Sequence, residues 1–297
     1  MKKKIMMGTG IGIGAIMLLA SGLSASAGGS GYEVYKAAWK QTHTVTSMAG
    51  EASLQLSDNG TSLLNASTSF KGDIANHAAS ASVQFTAGQA SKSLNVYHHD
   101  GQTVLKHSDQ EVYQVIEHEG NEEEMAEHGA MHNGNHAELV ENVFDTLVGQ
   151  LRHQVTLAED ENGGQLVSLH LNSAQISAPV QAISSLLITA AAGEEEWKPE
   201  AGPAEGMDIE LPDLVEEVRI TAINLDAVID EENYISNQRA AIEVTGKDAQ
   251  GKTHELVLDL ELDLTDREHV APDTVDLTGK KVELVNPEEF GHEGPKK

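Results

Sequence analysis

Leu256, Leu258, Leu260, Leu262 and Leu264 alternate with Glu255, Asp259, Glu261 and Asp263. Successive side chains on a strand point to opposite sides of a sheet, so this register gathers the leucines on one face and the acids on the other. The stretch is therefore a strand with one buried and one hydrated face, the pattern of an antiparallel sheet wetted on one side.

The same period of two recurs elsewhere. Met48, Ala52, Leu54 and Leu56 share a parity opposite Glu51, Ser53 and Gln55. Leu64, Ala66, Thr68 and Phe70 alternate next, then Ala79, Ala81, Val83 and Phe85, then Leu94, Val96 and His98. Asp58-Asn59-Gly60 and Asp100-Gly101 are hairpin turns, because Asn, Asp and Gly tolerate positive φ. Thr103 to His107 and Val112 to Ile116 continue the run, with Ser108-Asp109 turning the chain between them. Evenly spaced strands joined by hairpin turns predict an antiparallel meander over His43 to Glu117. A second meander is predicted from Val215 to Ile229 and from Ile235 to Thr245, ending on the leucine strand; Glu231-Glu232-Asn233 and Lys247 to Gly251 supply its turns.

Helical spacing is confined to three places. Tyr32, Tyr35, Ala38 and Trp39 predict a short amphipathic helix ending near Gln41. Leu139, Val140, Val143, Phe144, Leu147, Val148 and Leu151 form an apolar stripe, and the helix holding it is expected to run on to Leu157. Leu166 to Leu171 is a strand candidate. Asn172-Ser173 then caps an expected helix on which Ile176, Val180, Ile183 and Leu187 share a face. Glu194 to Pro212 is an acidic connector containing Pro and Gly.

Composition restricts the function. Apolar residues make up 39% and charged residues 22%, enough for a packed core. Aromatics are only 4%, so that core rests on Leu, Val, Ile and Ala. A formal net charge of -28 repels nucleic acid and anionic lipid, which excludes a nucleic-acid partner. With no cysteine there are no disulfides, thiolate metal sites, cysteine nucleophiles or lipid-modified cysteines.

The opening of the chain reads as an export signal. Lys2-Lys3-Lys4 precedes an apolar run from Ile5 to Ala20, and Ser24-Ala25-Ser26-Ala27 has the small-x-small pattern of a cleavage site. Cleavage after Ala27 frees a mature chain that begins at Gly28 and has no transmembrane span. That chain is expected to be secreted or extracytoplasmic, at the cell envelope. Gly8, Gly10, Gly12 and Gly14 imitate a dinucleotide fingerprint, but only lysines precede them and no strand does.

An open sheet with one apolar face cannot leave that face in water. The expected fold is therefore α+β: a curved antiparallel sheet, or half-barrel, with the two inserted helices covering its concave face over residues 28–286. A loose tail is expected over 287–297. The order of helix, meander, paired helices and second meander resembles the lipoprotein-carrier superfamily of LolA type. That superfamily includes periplasmic lipoprotein carriers and mycobacterial lipid-binding lipoproteins. Gly31-Tyr32-Glu33-Val34-Tyr35-Lys36-Ala37-Ala38 and the stretch Ile229 through Leu264 resemble those of Gram-positive secreted relatives. The resemblance implies an apolar cavity holding an acyl chain or another hydrophobic small molecule. The missing lipidated cysteine departs from the membrane-anchored members.

The inward residues expected to line such a cavity are Leu54, Phe70, Phe85, Val96, Leu258 and Leu260. Core packing explains the leucine ladder equally well. Catalytic patterns do not emerge: there is no Gly-x-Ser-x-Gly elbow, and His118-Glu119, His254-Glu255 and His292-Glu293 each lack a second histidine four residues on. The expectation is a non-enzymatic binding protein without a cofactor. Two alternatives stand beside lipid binding. One is a divalent-metal protein: His128, His132 and His136 would share a helical face, with His118 and Glu124 nearby, although Gly129 and Gly134 weaken such a helix. The other is an acidic interaction module with a filled core.

Overall fold

The computed structural model describes residues 31–117, 152–160, 163–176, 209 and 211–285. Helix α1 spans Gly31–Thr42. Strands β1 (Ser47–Asp58), β2 (Thr61–Asp73), β3 (Ala78–Ala87), β4 (Ala90–His99), β5 (Gln102–His107) and β6 (Tyr113–Glu117) follow as the first meander. After a 3-10 turn at Arg152–Gln154 come β7 (Thr156–Glu159) and β8 (Gln165–Asn172). The second meander is β9 (Glu216–Ile229), β10 (Ile235–Lys247) and β11 (Thr253–Asp266), and β12 (Val282–Val285) is the last strand described.

All twelve strands form one sheet, in the order β12-β6-β5-β4-β3-β2-β1-β11-β10-β9-β8-β7. The two meanders meet along a single antiparallel seam, where β1 pairs β11 from Ala49↔Asp266 to Asp58↔Leu256. Turn chemistry sets the register as the sequence predicts. Asn59 (φ 49°) and Gly60 (φ 75°) form a two-residue loop with positive φ at both positions, and so do Asp100 (φ 51°) and Gly101 (φ 71°). Such loops match the right-handed twist of the strands they join.

The expected α+β arrangement is overturned. The described residues form one large sheet with a single α-helix, and α1 packs against β7 to β10 at one end. Apart from α1 at that end, no described helix covers the apolar face of the sheet. The physical reason lies in the strands: β11 carries leucine at every second position from Leu256 to Leu264 and β1 pairs with it from Ala49 to Asp58, so ladder pairing carries across the seam and makes one sheet of both meanders. The helices expected around Leu139 to Leu151 and beyond Ile176 lie outside the described residues, as do residues 1–30 and the tail.

Two further corrections concern strands. The helix expected to run to Leu157 gives way to the 3-10 turn and β7. Val155 and Thr156 are β-branched and adjacent, stiff in a helix, and β8 offers β7 a partner from Thr156↔Ser168 to Glu159↔Gln165. Strand β12 has no counterpart in the sequence pattern. It pairs parallel with β6, Val282 against Tyr113 through Val285 against Ile116, across a sequence separation that local pattern cannot bridge.

Helix α1 is held by one apolar patch and by polar contacts, among them Gln41 Nε2 donating to the Tyr234 hydroxyl at 3.0 Å. Tyr35 and Ala38 pack with Val167, Ala227, Ile229 and Ile235. The Tyr35 hydroxyl donates to Gln238 Oε1 at 3.0 Å, and burial pushes its pKa well above the ordinary tyrosine value. Thr42 Oγ1 donates to the carbonyl of Ala38 at 2.8 Å and accepts the N–H of Ile235 at 2.9 Å, which ties the end of the helix to the first residue of β10.

Between β11 and β12 the chain crosses the polar side of the sheet as a strap. Arg267 pairs with Asp230 and lies 4.1 Å over the Tyr234 ring. The Val270 N–H donates to Ser47 Oγ, the Asp273 N–H donates to Ser80 Oγ, and Lys71 pairs with Asp273 at 2.7 Å. Lys280 Nζ reaches the Tyr113 hydroxyl at 3.0 Å, which delivers the chain to β6.

Candidate functional site

Register decides which side chains share a face. Leu54 opposes Leu260 on β11 and Ala66 on β2, while Ala66 opposes Phe85 on β3. Phe70 opposes Ala81, which opposes Val96 on β4, which opposes Leu105 on β5. In the other direction Leu258 opposes Ile242, which opposes Ile223, which opposes Leu171. One apolar face therefore continues from β5 through the seam to β8. The opposite face carries Glu51, Ser53, Gln55, Ser67, Ser69, Ser82, Asp259 and Glu261 over the middle of the sheet, and buried Val104 and Val115 toward its β6 end.

All six residues expected at the cavity fall on that apolar face, in three neighbouring clusters. Phe70 and Leu260 are buried with Ala52, Ala240 and Leu262, and Leu54 and Leu258 pack against them half-buried. Phe85 packs half-buried on Leu64, Ala87 and Ile209. Val96 packs half-buried on Leu94, Leu105 and Ile116. Between the large side chains sit Ala66, Ala79 and Ala81, whose single methyl groups leave relief in the surface.

Two hollows open on the other side. One, about 310 Å³, lies between the sheet and the strap, lined by Ser69, Ser80, Ser82, Asn95 and Tyr97 and by Asp273 and Thr274. The second, about 370 Å³, is a shallow trough among Ser53, Gln55, Asn65, Ser67, Gln84 and Thr86. The second is lined chiefly by polar groups and the first by polar and apolar atoms alike, and neither lies on the apolar face where the sequence places a cavity.

The apolar face contains two buried polar residues that sequence reasoning did not single out. Gln238 stands at an inward position of β10, opposite Leu262, and meets Tyr35. His254 opens β11 on the same face, opposite Gly246. A polar residue on an apolar parity is the signal that would have found both. The proposed metal ligands His128, His132 and His136, with His118, lie outside the described residues. Among the described residues there is no cluster of three or more His, Asp or Glu suited to a metal ion. No described helix is long and apolar enough to cross a membrane.

No protein-family model matches this sequence, and no curated protein matches it. Among solved structures, a LolA superfamily protein from Nitrosomonas europaea aligns over 80% of this chain and 95% of its own, at 9% identity and a TM-score of 0.20. A β-barrel-like protein of a domain of unknown function from Brucella abortus aligns over 75% of this chain and 99% of its own, at 10% identity and a TM-score of 0.17. Likenesses this distant carry no argument about fold or activity.

Proposed function

We propose that this chain is a non-enzymatic binding protein that holds a hydrophobic molecule with an acyl-chain-like body against the apolar face of its sheet. The observation that carries the reading is the continuity of that face across the seam, with Leu54, Phe85, Val96 and Leu258 half-buried on it beside alanines. Affinity would come from apolar area removed from water, about 0.8 kcal/mol for each methylene fully buried. The net charge of -28 argues for a neutral or cationic headgroup over an anionic one. We also infer export to the cell envelope, from Lys2-Lys3-Lys4, the apolar run and the small residues before Gly28.

Native mass spectrometry of protein purified from its own host tests the binding, together with displacement of a fluorescent fatty-alcohol probe. A co-purified apolar molecule, and probe binding lost in a Phe85→Ser/Leu258→Ser variant that still folds, support it. A wild-type protein that carries no apolar molecule and binds no probe overturns it. N-terminal sequencing of protein from the culture medium or cell wall tests export, with Gly28 expected at the mature terminus.

A further inference from the structure

Among the described histidines His254 is the buried one, at 4% exposure. It sits where three pieces of chain converge: the end of β1, the β10–β11 turn and the start of β11. Its Nδ1 lies 2.8 Å from Asp58 Oδ2 and its Nε2 lies 3.2 Å from Asp248 Oδ2. A neutral imidazole has one N–H and one lone pair, so it can serve only one of these carboxylates and aims its lone pair at the other. Only the imidazolium donates to both.

The two carboxylates are not free to turn away. Asp248 Oδ1 accepts the N–H groups of Gln250 and Lys252, which fixes that side chain within its turn. Asp58 Oδ1 is buried with no hydrogen-bond partner, so the carboxylate depends on the contact its other oxygen makes with His254. The hydrogen bond to Asp58 raises the His254 pKa above the ordinary histidine value, burial opposes it, and the bond to Asp248 adds to the rise. Lys252 is the charge that opposes protonation. Lys247 is engaged by Glu217, and the facing position on β10 is Gly246, which brings no charge.

This corner closes one end of the seam between the meanders. Asp58 opposes Leu256 as the terminal pair of the β1–β11 ladder. Just beyond it the Asn59 N–H donates to the Glu255 carbonyl at 2.9 Å, and the Glu255 N–H donates to Asn59 Oδ1 at 3.2 Å. The β1–β2 turn is thereby seated on the start of β11, with the imidazole beneath it.

We propose that protonated His254 is a pin holding the β1–β2 turn to β11, and that its deprotonation releases this end of the seam. A group whose folded pKa is raised contributes stability that is fully present below the unfolded value, about 6.5 for histidine. That contribution is lost as pH rises through the raised folded value. The corner is therefore closed in mildly acidic solution and opens as the medium turns alkaline.

Hydrogen-exchange mass spectrometry on the full chain, corrected for the intrinsic pH dependence of exchange, tests this at about pH 5.5 and about pH 9. Peptides over 55–62 and 250–258 are expected to exchange at least about tenfold faster at the higher pH, while peptides over β9 do not change. His254→Gln is expected to exchange fast in the same peptides at both pH values. Asp58→Asn is expected to move the transition to lower pH. The His254 Cε1 proton, followed by NMR in wild type, should titrate above the ordinary histidine range. Equal corrected protection at both pH values, or an ordinary titration of His254, overturns the proposal. If His254→Gln does not fold, the wild-type titration and exchange decide it.

Discussion

The ring of Phe70 occupies the space that a side chain on Gly50 would need: a β-carbon built on Gly50 stands 2.7 Å from Phe70 Cζ and collides with the carbonyl oxygen of Asp263. Gly50 opposes Phe70 across the β1–β2 ladder, beside a register shift at Ala49/Gly50 in the seam. The glycine is thus required by close approach, from a backbone on one side and an aromatic ring on the other. Gly50→Ala should cost about 1–3 kcal/mol, measured by urea unfolding. Because the Asp263 backbone cannot retreat as a side chain can, Gly50→Ala/Phe70→Leu should recover only part of the loss. Full recovery would show that the ring alone made the conflict.

Thr42 tests how α1 is fastened to the sheet. Thr42→Val keeps the shape and removes the acceptor of the Ile235 N–H, which is buried. An unpaired buried donor costs about 1–3 kcal/mol. Thr42→Ser, which keeps the oxygen, should lose much less. Equal losses in the two variants would mean that the methyl group, not the hydrogen bond, matters at this position.

Tyr35 predicts a second alkaline transition, distinct from that of His254. Its folded pKa is raised by burial, with the bond to Gln238 acting in the opposite direction. Above the ordinary value of 10.0 the unfolded chain releases this proton and the folded chain keeps it, so stability falls as pH rises. The slope approaches about 1.4 kcal/mol per pH unit for one such group. Urea midpoints measured from about pH 9 to about pH 11 should fall in wild type and fall less steeply in Tyr35→Phe. Parallel slopes would remove Tyr35 from the account.

Salt should stabilise this protein. At a net charge of -28 the folded chain repels itself, and raising ionic strength shortens the screening length to about 10 Å at 0.1 M. Surface pairs such as Lys71–Asp273, whose side chains are 41% and 60% exposed, are worth about 0–1 kcal/mol and lose little by screening. The thermal midpoint is therefore expected to rise between low salt and physiological salt. A flat or falling midpoint would mean that attractive pairs outweigh the repulsion.

Much of the strand layout was legible because it is local. Parity identified β1 to β4 and β11, strand-rich stretches marked β8 to β10, and Asn59-Gly60 and Asp100-Gly101 marked hairpins through their tolerance of positive φ. The six residues expected at the ligand site do share a face, since a period of two fixes the side of a sheet without knowledge of the partners. Their enclosure by a helical lid was an inference from layer architecture, and in the described residues it failed: α1 sits over one end of the sheet. The first hollow on the polar face depends on the strap, whose attachments at Ser47, Ser80 and Tyr113 join residues more than 160 positions apart.

The sequence by itself determined which side of each strand is apolar and where the hairpins turn, because pleat and turn conformation are properties of neighbouring residues. Only the tertiary structure decided that both meanders share one sheet through the β1–β11 seam. It alone decided that β12 returns in parallel to β6, and that the histidine at the start of β11 meets the aspartate at the end of β1. Those outcomes depend on backbone groups and charges finding partners at long range. The identity of a distant partner leaves no periodic trace in the chain.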